Sequence, residues 1–228
     1  TALNRSAPLP ASVRKGLDAR LKRPTANLKP RIGRKHLERF IAKVRSVNGT
    51  VEEVDGFGEV PGAVVRHLEA HGIPLKLVVA AEPELESLRW SNRIEVEHRA
   101  ANGEDLASLT GAYAGIAENG TIVARSSQAS PTTLNFLPDD HLVVLKASQV
   151  VGHSEDVWAR MRKEKLPMPR TLNLITGPSK TGDITCLFNL FHPPIIETML
   201  LQISDGGGNP FDVPRMNILV LISIDGYC

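Results

Sequence analysis

At 228 residues with 42% apolar side chains, the chain is long enough to bury one sizeable core, and its charge, Pro and Gly content are those of an ordinary globular domain. Its longest apolar runs, such as Leu142 to Leu145 and Ile218 to Ile224, fall far short of the roughly 20 residues that span a bilayer, and Thr1 opens no secretory pattern, so a soluble, cytoplasmic protein without membrane insertion is expected. Cys186 and Cys228 make neither a metal-ligand spacing nor a disulfide framework, which fits a reducing compartment and argues against iron–sulfur ligation by this chain alone.

The net charge of +2 hides an asymmetry. Residues 1–45 carry thirteen Lys or Arg against Asp18 and Glu38, a net of +11; the remainder, with fourteen bases and twenty-three acids, stands at −9. The two parts should attract each other. Nucleic-acid binding is poorly supported, because Phe40 is the only aromatic ring in the basic stretch and base-stacking platforms need several.

In chain order, Val13, Leu17 and Leu21 recur every four residues and predict a helix over Ala11 to Arg23, stopped by Pro24. Thr25 to Gly33 is a basic connector, so residues 1–33 read as a basic helical arm and 34–228 as the domain proper. Leu37, Phe40, Ile41, Val44 and Val47 make one apolar stripe, an amphipathic helix over Arg34 to Val47. A strand over Thr50 to Val54, a helix over Pro61 to His71 and a strand over Leu75 to Ala80 follow. Pro83 to Arg89 reads as a further helix and Ile94 to Val96 as a short strand. Thr110-Gly111-Ala112 reads as a turn, Ala114 to Glu118 as a short apolar segment, Asn119-Gly120 as a tight turn and Thr121 to Ala124 as a β-branched strand. Beyond the loop from Ser126 to Thr133 come a strand over His141 to Lys146, a helix over Ser148 to Lys165 and a strand over Thr171 to Thr176 that runs into Gly177-Pro178. This alternation predicts one α/β domain with a mainly parallel sheet flanked by helices. The unbroken apolarity of LKLVVA and HLVVLK requires burial on both sheet faces.

Two stretches carry chemistry. Glu118, beside Ile116, Ala117 and the Asn119-Gly120 turn, is suited to general acid/base work if partly desolvated, or to nucleophilic attack if ionised; from local sequence alone a plain surface carboxylate at a hairpin is the simpler account. Gly177 to Asp183, GPSKTGD, offers a Gly-Pro turn, the Ser179 and Thr181 hydroxyls, Lys180 and free backbone N–H groups, as an anionic ligand needs. A capped helix N-terminus explains the same residues equally well. The P-loop spacing, the GxSxG elbow and a GxGxxG after a strand are all absent, which leaves P-loop, serine hydrolase and independent nicotinamide sites unsupported. His141 opens a strand alone, which is more often structural, and His36, His67, His71, His98, His153 and His192 show no ligand spacing.

SLTGAYAGIAENGTIVAR (Ser108 to Arg125) resembles the TGA…AIAETGT block of the lactate utilization protein C family, the LUD-domain proteins. ITGPSKTGDI is similar to that family's GPSRTADIE signature, and LPDDHLVV to its LPxxHIVV pattern. Lys180 stands where the family has Arg, which keeps the charge and loses the bidentate fork, and Gly182 where it has Ala. The likeness is good from about Leu106 to Ile184, weaker before it and absent after, where residues 185–228 depart from the family pattern. The resemblance implies a NagB/RpiA/CoA-transferase-like fold and an accessory role in oxidising L-lactate to pyruvate alongside iron–sulfur partner proteins. It also implies a ligand site drawn from Thr110, Gly111, Asn119, Gly120, Gly177, Ser179, Lys180, Thr181 and Asp183. AENG is similar to the SENG block of class I CoA-transferases, with Ala117 in place of Ser, which makes Glu118 a candidate catalytic nucleophile in a rival reading as a CoA transferase. A third reading is binding of a small anionic metabolite. No cofactor is assigned to the chain beyond CoA or such a metabolite as alternatives, and a homo-oligomer is compatible with the sequence. Gly111, Glu118 and Gly177, all near strand ends, are expected to meet in one pocket.

Overall fold

The computed structural model describes residues 10–22, 29–177 and 217–223, and the chain falls into two compact units, residues 1–31 and 32–228. The first contains helix α1 (Ala11–Lys22).

In the second unit, the amphipathic stripe forms α2 (His36–Ser46), which buries Phe40, Ile41 and Val44. The β1 strand (Thr50–Val54) is followed by a 3-10 turn at Phe57–Glu59, α3 (Val60–Ala70), β2 (Lys76–Val79), the short α4 (Pro83–Glu86) and β3 (Glu95–His98). Next come β4 (Ala107–Gly111), β5 (Ala114–Ile116), β6 (Thr121–Arg125), α5 (Thr133–Phe136) and β7 (Asp140–Lys146). A 3-10 turn, β8 (Val150–Val151), α6 (Ser154–Lys163) and β9 (Leu172–Ile175) follow, and β10 (Asn217–Ser223) closes the described residues.

Six strands make one sheet in the order β1-β10-β7-β4-β2-β3, and every pairing in it is parallel. The β-prone run near the C-terminus is therefore an inner strand, between β1 and β7. The inner strands are buried on both faces, and along β7 and β10 successive side chains alternate between them. On β7, Leu142 and Val144 join the cluster beneath α3 and α4, which includes Val64, Leu68 and Leu85. Val143 and Leu145 point the other way, into a cluster with Phe40, Ile41 and Val44 of α2. On β10, Leu221 takes the first side and Val220 and Ile222 the second.

The second cluster is completed by a smaller sheet, β8-β5-β6-β9, in which β5 and β6 form an antiparallel hairpin. Ala117, Ile122 and Ile175 face the main sheet, while Ala114, Ile116 and Val123 face Val157 and Met161 of α6. Close approach depends on glycine: a Cβ on Gly115 would lie 2.8 Å from Leu145 Cδ2 and 3.0 Å from Phe40 Cε2.

Two local expectations are corrected. Thr110 and Gly111 do not form a turn but end β4, an inner strand whose polar residues are partnered inside the protein: Ser108 donates to the Leu134 carbonyl at 2.6 Å and Thr110 Oγ1 meets His141 Nε2 at 2.8 Å. The helix expected from Ser148 starts only at Ser154, because β-branched Val150 and Val151 instead pair with Gly115 and Ile116. Asp156 then accepts the His153 N–H at 2.9 Å and caps the helix.

Gly120 makes the clearest test of this packing. Its φ is +77°, and an added Cβ would lie 2.8 Å from the backbone of Lys43 and Val44 in α2. Gly120→Ala should cost on the order of 1–3 kcal/mol in urea unfolding, while Gly103→Ala, in open space, should change stability by less than about 0.5 kcal/mol.

Candidate functional site

Parallel strands bring their carboxyl ends to one side, where the chain must leave the dry sheet and polar groups can gather. A cleft of about 270 Å³ lies there. Phe57, beyond β1, contributes to its wall, as do Glu82, Glu84 and Leu85 beyond β2. Gly111, Ala112 and Tyr113 come from the end of β4, Val144, Lys146 and Gln149 from the end of β7, and Arg125, Ser126 and Ser127 from the end of β6.

Glu82 is the deepest acid of this cleft. It accepts hydrogen bonds from the Ser130 side chain and the Gly111 backbone N–H, but burial outweighs them and, with Glu84 nearby, raises its pKa above the ordinary carboxylate value. Burial thus makes the Glu82 carboxyl easier to protonate than an exposed glutamate. A Cβ on Gly111 would meet Glu82 Oε2. Lys146 pairs with Glu84 at 2.5 Å and lies 5.4 Å from the centre of the Phe57 ring, so its charge is already matched.

Arg125 differs from Lys146. Its guanidinium lies 5.3 Å from the Tyr113 ring centre and donates to the Pro167 carbonyl at 3.2 Å, but Nε is buried with no hydrogen-bond partner among the described residues. Tyr113 is held from its far end: its hydroxyl donates to Glu164 at 2.7 Å, and Glu164 also accepts from Arg160 Nε at 2.8 Å. Those two donors, Arg160 first, hold the Glu164 carboxyl below its usual range.

The residues singled out in the sequence divide into two places. Gly111 lines the cleft, and Thr110, wholly buried just before it, bonds His141. Glu118, Asn119 and Gly120 form the tip of the β5–β6 hairpin. There the Glu118 N–H donates to the Gly152 carbonyl at 3.0 Å and its carbonyl accepts from Arg39 at 3.3 Å. Gly177 sits beside this tip: β6 and β9 are paired, Thr121 and Thr176 hydroxyls touch at 2.6 Å, and Gly177, at φ +73°, packs on Val47. The AENG turn and Gly177 thus meet at the C-terminal end of α2. Neither Glu118 nor Gly177 lines the cleft that Gly111 lines, because the antiparallel hairpin carries its tip away from the end at which β4 enters. Ser179, Lys180, Thr181 and Asp183 lie outside the described residues.

Glu82 and Arg125 were missed by sequence reasoning. The signal was available: each is the first or last charged residue where a buried strand, LKLVVA or TIVA, gives way to a polar turn.

Burial gives Glu82 and His141 opposite pH signatures. The stability associated with Glu82, whose pKa is raised, is full below its ordinary pKa of 4.5 and lost as pH rises through the folded value. Urea titrations should therefore show Glu82→Gln gaining on the wild type as pH rises from 4 to 8; a constant difference would refute the upward shift. His141, fully buried, is pushed from 6.5 down to about 4. Its contribution is present above pH 6.5 and lost as pH falls through about 4, on the order of 3 kcal/mol in all. Its imidazole carbon shifts should stay those of the neutral ring down to that pH.

Comparison with known proteins agrees with the fold. A Deinococcus radiodurans DUF162 family protein of known crystal structure superposes with a TM-score of 0.54 at 19% identity, over 86% of this chain and 99% of that one. The uncharacterized protein NMB1437 of Neisseria meningitidis serogroup B is 35% identical over 78 residues, 34% of each chain. The lactate utilization protein C of Anoxybacillus flavithermus is 29% identical over 119 residues, 51% of this chain and 50% of that protein. The chain thus spans a third to a half of the length of these curated relatives. Residues 37–194 match the family model described as LUD domain, ten residues past the point where the motif likeness fades. The chain belongs to the LUD-domain family.

Proposed function

We propose that this protein is an accessory component of L-lactate utilization, serving the oxidation of L-lactate to pyruvate together with separate iron–sulfur proteins. The observation that carries this reading is the family match over residues 37–194 together with relatives named lactate utilization protein C. Among the described residues no helix is long and apolar enough to cross a membrane. On this reading electron transfer belongs to the partners and ligand handling to this chain, with the cleft at the strand ends as the place for it.

Deletion of the gene in its own host should abolish growth on L-lactate and spare growth on pyruvate, with complementation by the intact gene. Iron–sulfur proteins should co-purify with the protein taken from native cytosol. Unimpaired growth on L-lactate would overturn the reading. Its rival is a CoA transferase acting through Glu118, whose turn lies beside Gly177 at α2. It requires borohydride to trap an acyl-CoA-derived mass shift on Glu118 that Glu118→Gln abolishes. Under the accessory reading no such adduct forms.

A further inference from the structure

The sequence contains three Asn-Gly pairs, Asn48-Gly49, Asn102-Gly103 and Asn119-Gly120. In such a pair the backbone nitrogen of the glycine can attack the side-chain amide of the asparagine, because glycine has no Cβ to hinder the approach or to restrict the backbone. To react, that nitrogen must give up its proton to solvent base. What the fold does with each glycine N–H therefore decides which pair is reactive.

Two of the three are closed. The Gly49 N–H donates to the Val44 carbonyl at 3.0 Å and the Gly120 N–H to the Ile116 carbonyl at 2.9 Å. Both glycines are buried against α2: a Cβ on Gly49 would meet Val44, and one on Gly120 the backbone of Lys43 and Val44. Gly103 is exposed, a Cβ there would meet nothing within 4 Å, and its N–H has no hydrogen-bond partner among the described residues. It is the second residue of a turn that the Asp105 N–H closes by donating to the Asn102 carbonyl at 3.4 Å.

The side chains, by contrast, are held alike. Asn102 Oδ1 accepts the Glu104 N–H at 2.9 Å, which folds the amide over the Gly103 backbone and draws electron density from Cγ. Asn119 Oδ1 makes the matching contact with the Thr121 N–H at 3.3 Å. The two pairs thus share their side-chain arrangement and differ at the glycine, so Asn119-Gly120 is an internal control for Asn102-Gly103.

We propose that Asn102 is a site of spontaneous covalent modification, deamidating through a cyclic imide, while the fold protects Asn48 and Asn119. Base takes the Gly103 N–H proton and the nitrogen attacks Asn102 Cγ. The new N–Cγ bond forms as the Cγ–Nδ2 bond breaks, and the departing nitrogen takes up a proton to leave as ammonia. Water then opens the imide. Attack at Cγ gives aspartate; attack at the Asn102 backbone carbonyl carbon gives isoaspartate, with the chain rerouted through the side chain. Either product sets a new carboxylate beside Asp105, whose Oδ2 accepts the Asn102 N–H at 2.7 Å and whose two oxygens accept from Arg99 at 2.7 Å each.

Peptide mapping by mass spectrometry tests the assignment, on the folded chain kept in mildly alkaline buffer and sampled over days. Ammonia release and isoaspartate-specific carboxyl methylation supply independent readouts. Conversion at Asn102 should outrun that at Asn48 and Asn119 by on the order of tenfold or more, because at those two sites a backbone hydrogen bond and the packing around it must open first. In guanidinium chloride the three rates should converge. Asn102→Gln should remove the fast phase of ammonia release, and Gly103→Ala, which the open space around Gly103 tolerates, should slow it severalfold. Conversion of Asn48 or Asn119 as fast as Asn102 in the folded chain would overturn the proposal. So would an Asn102 that stays intact while folded and converts in denaturant, or a fast phase that survives Asn102→Gln.

Discussion

Two-sided burial of the parallel sheet is the constraint on which the rest of the structure depends. Its inner strands touch apolar side chains on both faces, so a polar group among them must be partnered from within the protein. β4 meets that requirement twice, with Ser108 on the Leu134 carbonyl and Thr110 on His141. The same exclusion keeps His141 neutral, since a proton there would charge a ring that has no carboxylate beside it to repay the lost hydration. Groups that need solvent, charge or a ligand are displaced to the strand ends. The cleft is thus the first place beyond the dry layer where a strand can put such a side chain and still hold its backbone.

Covering the second face falls to α2 and the small sheet, and their closeness is limited by side-chain volume. Gly115 lies against Leu145 and Phe40, Gly120 against the backbone of α2, and Gly177 against Val47. Each removes a Cβ at a point where two backbones or a backbone and a ring approach. The apolar stripe of α2 then reaches Val143, Leu145, Val220 and Ile222 in one cluster. Gly120 and Gly177 therefore have a packing reason to be glycine, independent of any ligand.

Much of this was legible in the sequence because it depends on period and punctuation. The strand at Thr50 to Val54, the stripe of α2 and the apolar runs of β2 and β7 followed from patterns that burial on two faces imposes. β4 was not legible, since ASLTG lacks the apolarity of a buried strand; only the fold supplies the Leu134 carbonyl and His141 that satisfy its hydroxyls. The start of α6 was missed for a related reason. Val150 and Val151 fit a helix locally and are claimed by β5 only in three dimensions. Of the candidate site, Gly111 was placed where the cleft lies, whereas the expectation that Glu118 and Gly177 would join it required knowing which way the hairpin runs. That Arg125 and Glu82 line one cleft depends on how strands distant in sequence are brought together.

The hairpin direction also explains why one stretch, Ser108 to Arg125, matters at both of its ends. Gly111 leaves the main sheet at the cleft, β5 runs away from it, and the tip turns back against α2. Antiparallel pairing then returns β6 to its starting point: Ala114 faces Val123, and the Tyr113 N–H donates to the Val123 carbonyl at 2.8 Å. Arg125, two residues further on, is thereby delivered beside Tyr113 at the cleft. A slip of one residue in this register would send every side chain of β6 to the opposite face, exchanging Ile122 and Val123 between the main sheet and α6 and turning Arg125 away. The turn at Gly120 and its contact with α2 set that register. The packing at the tip, remote from the cleft, thus positions Arg125 in the cleft wall.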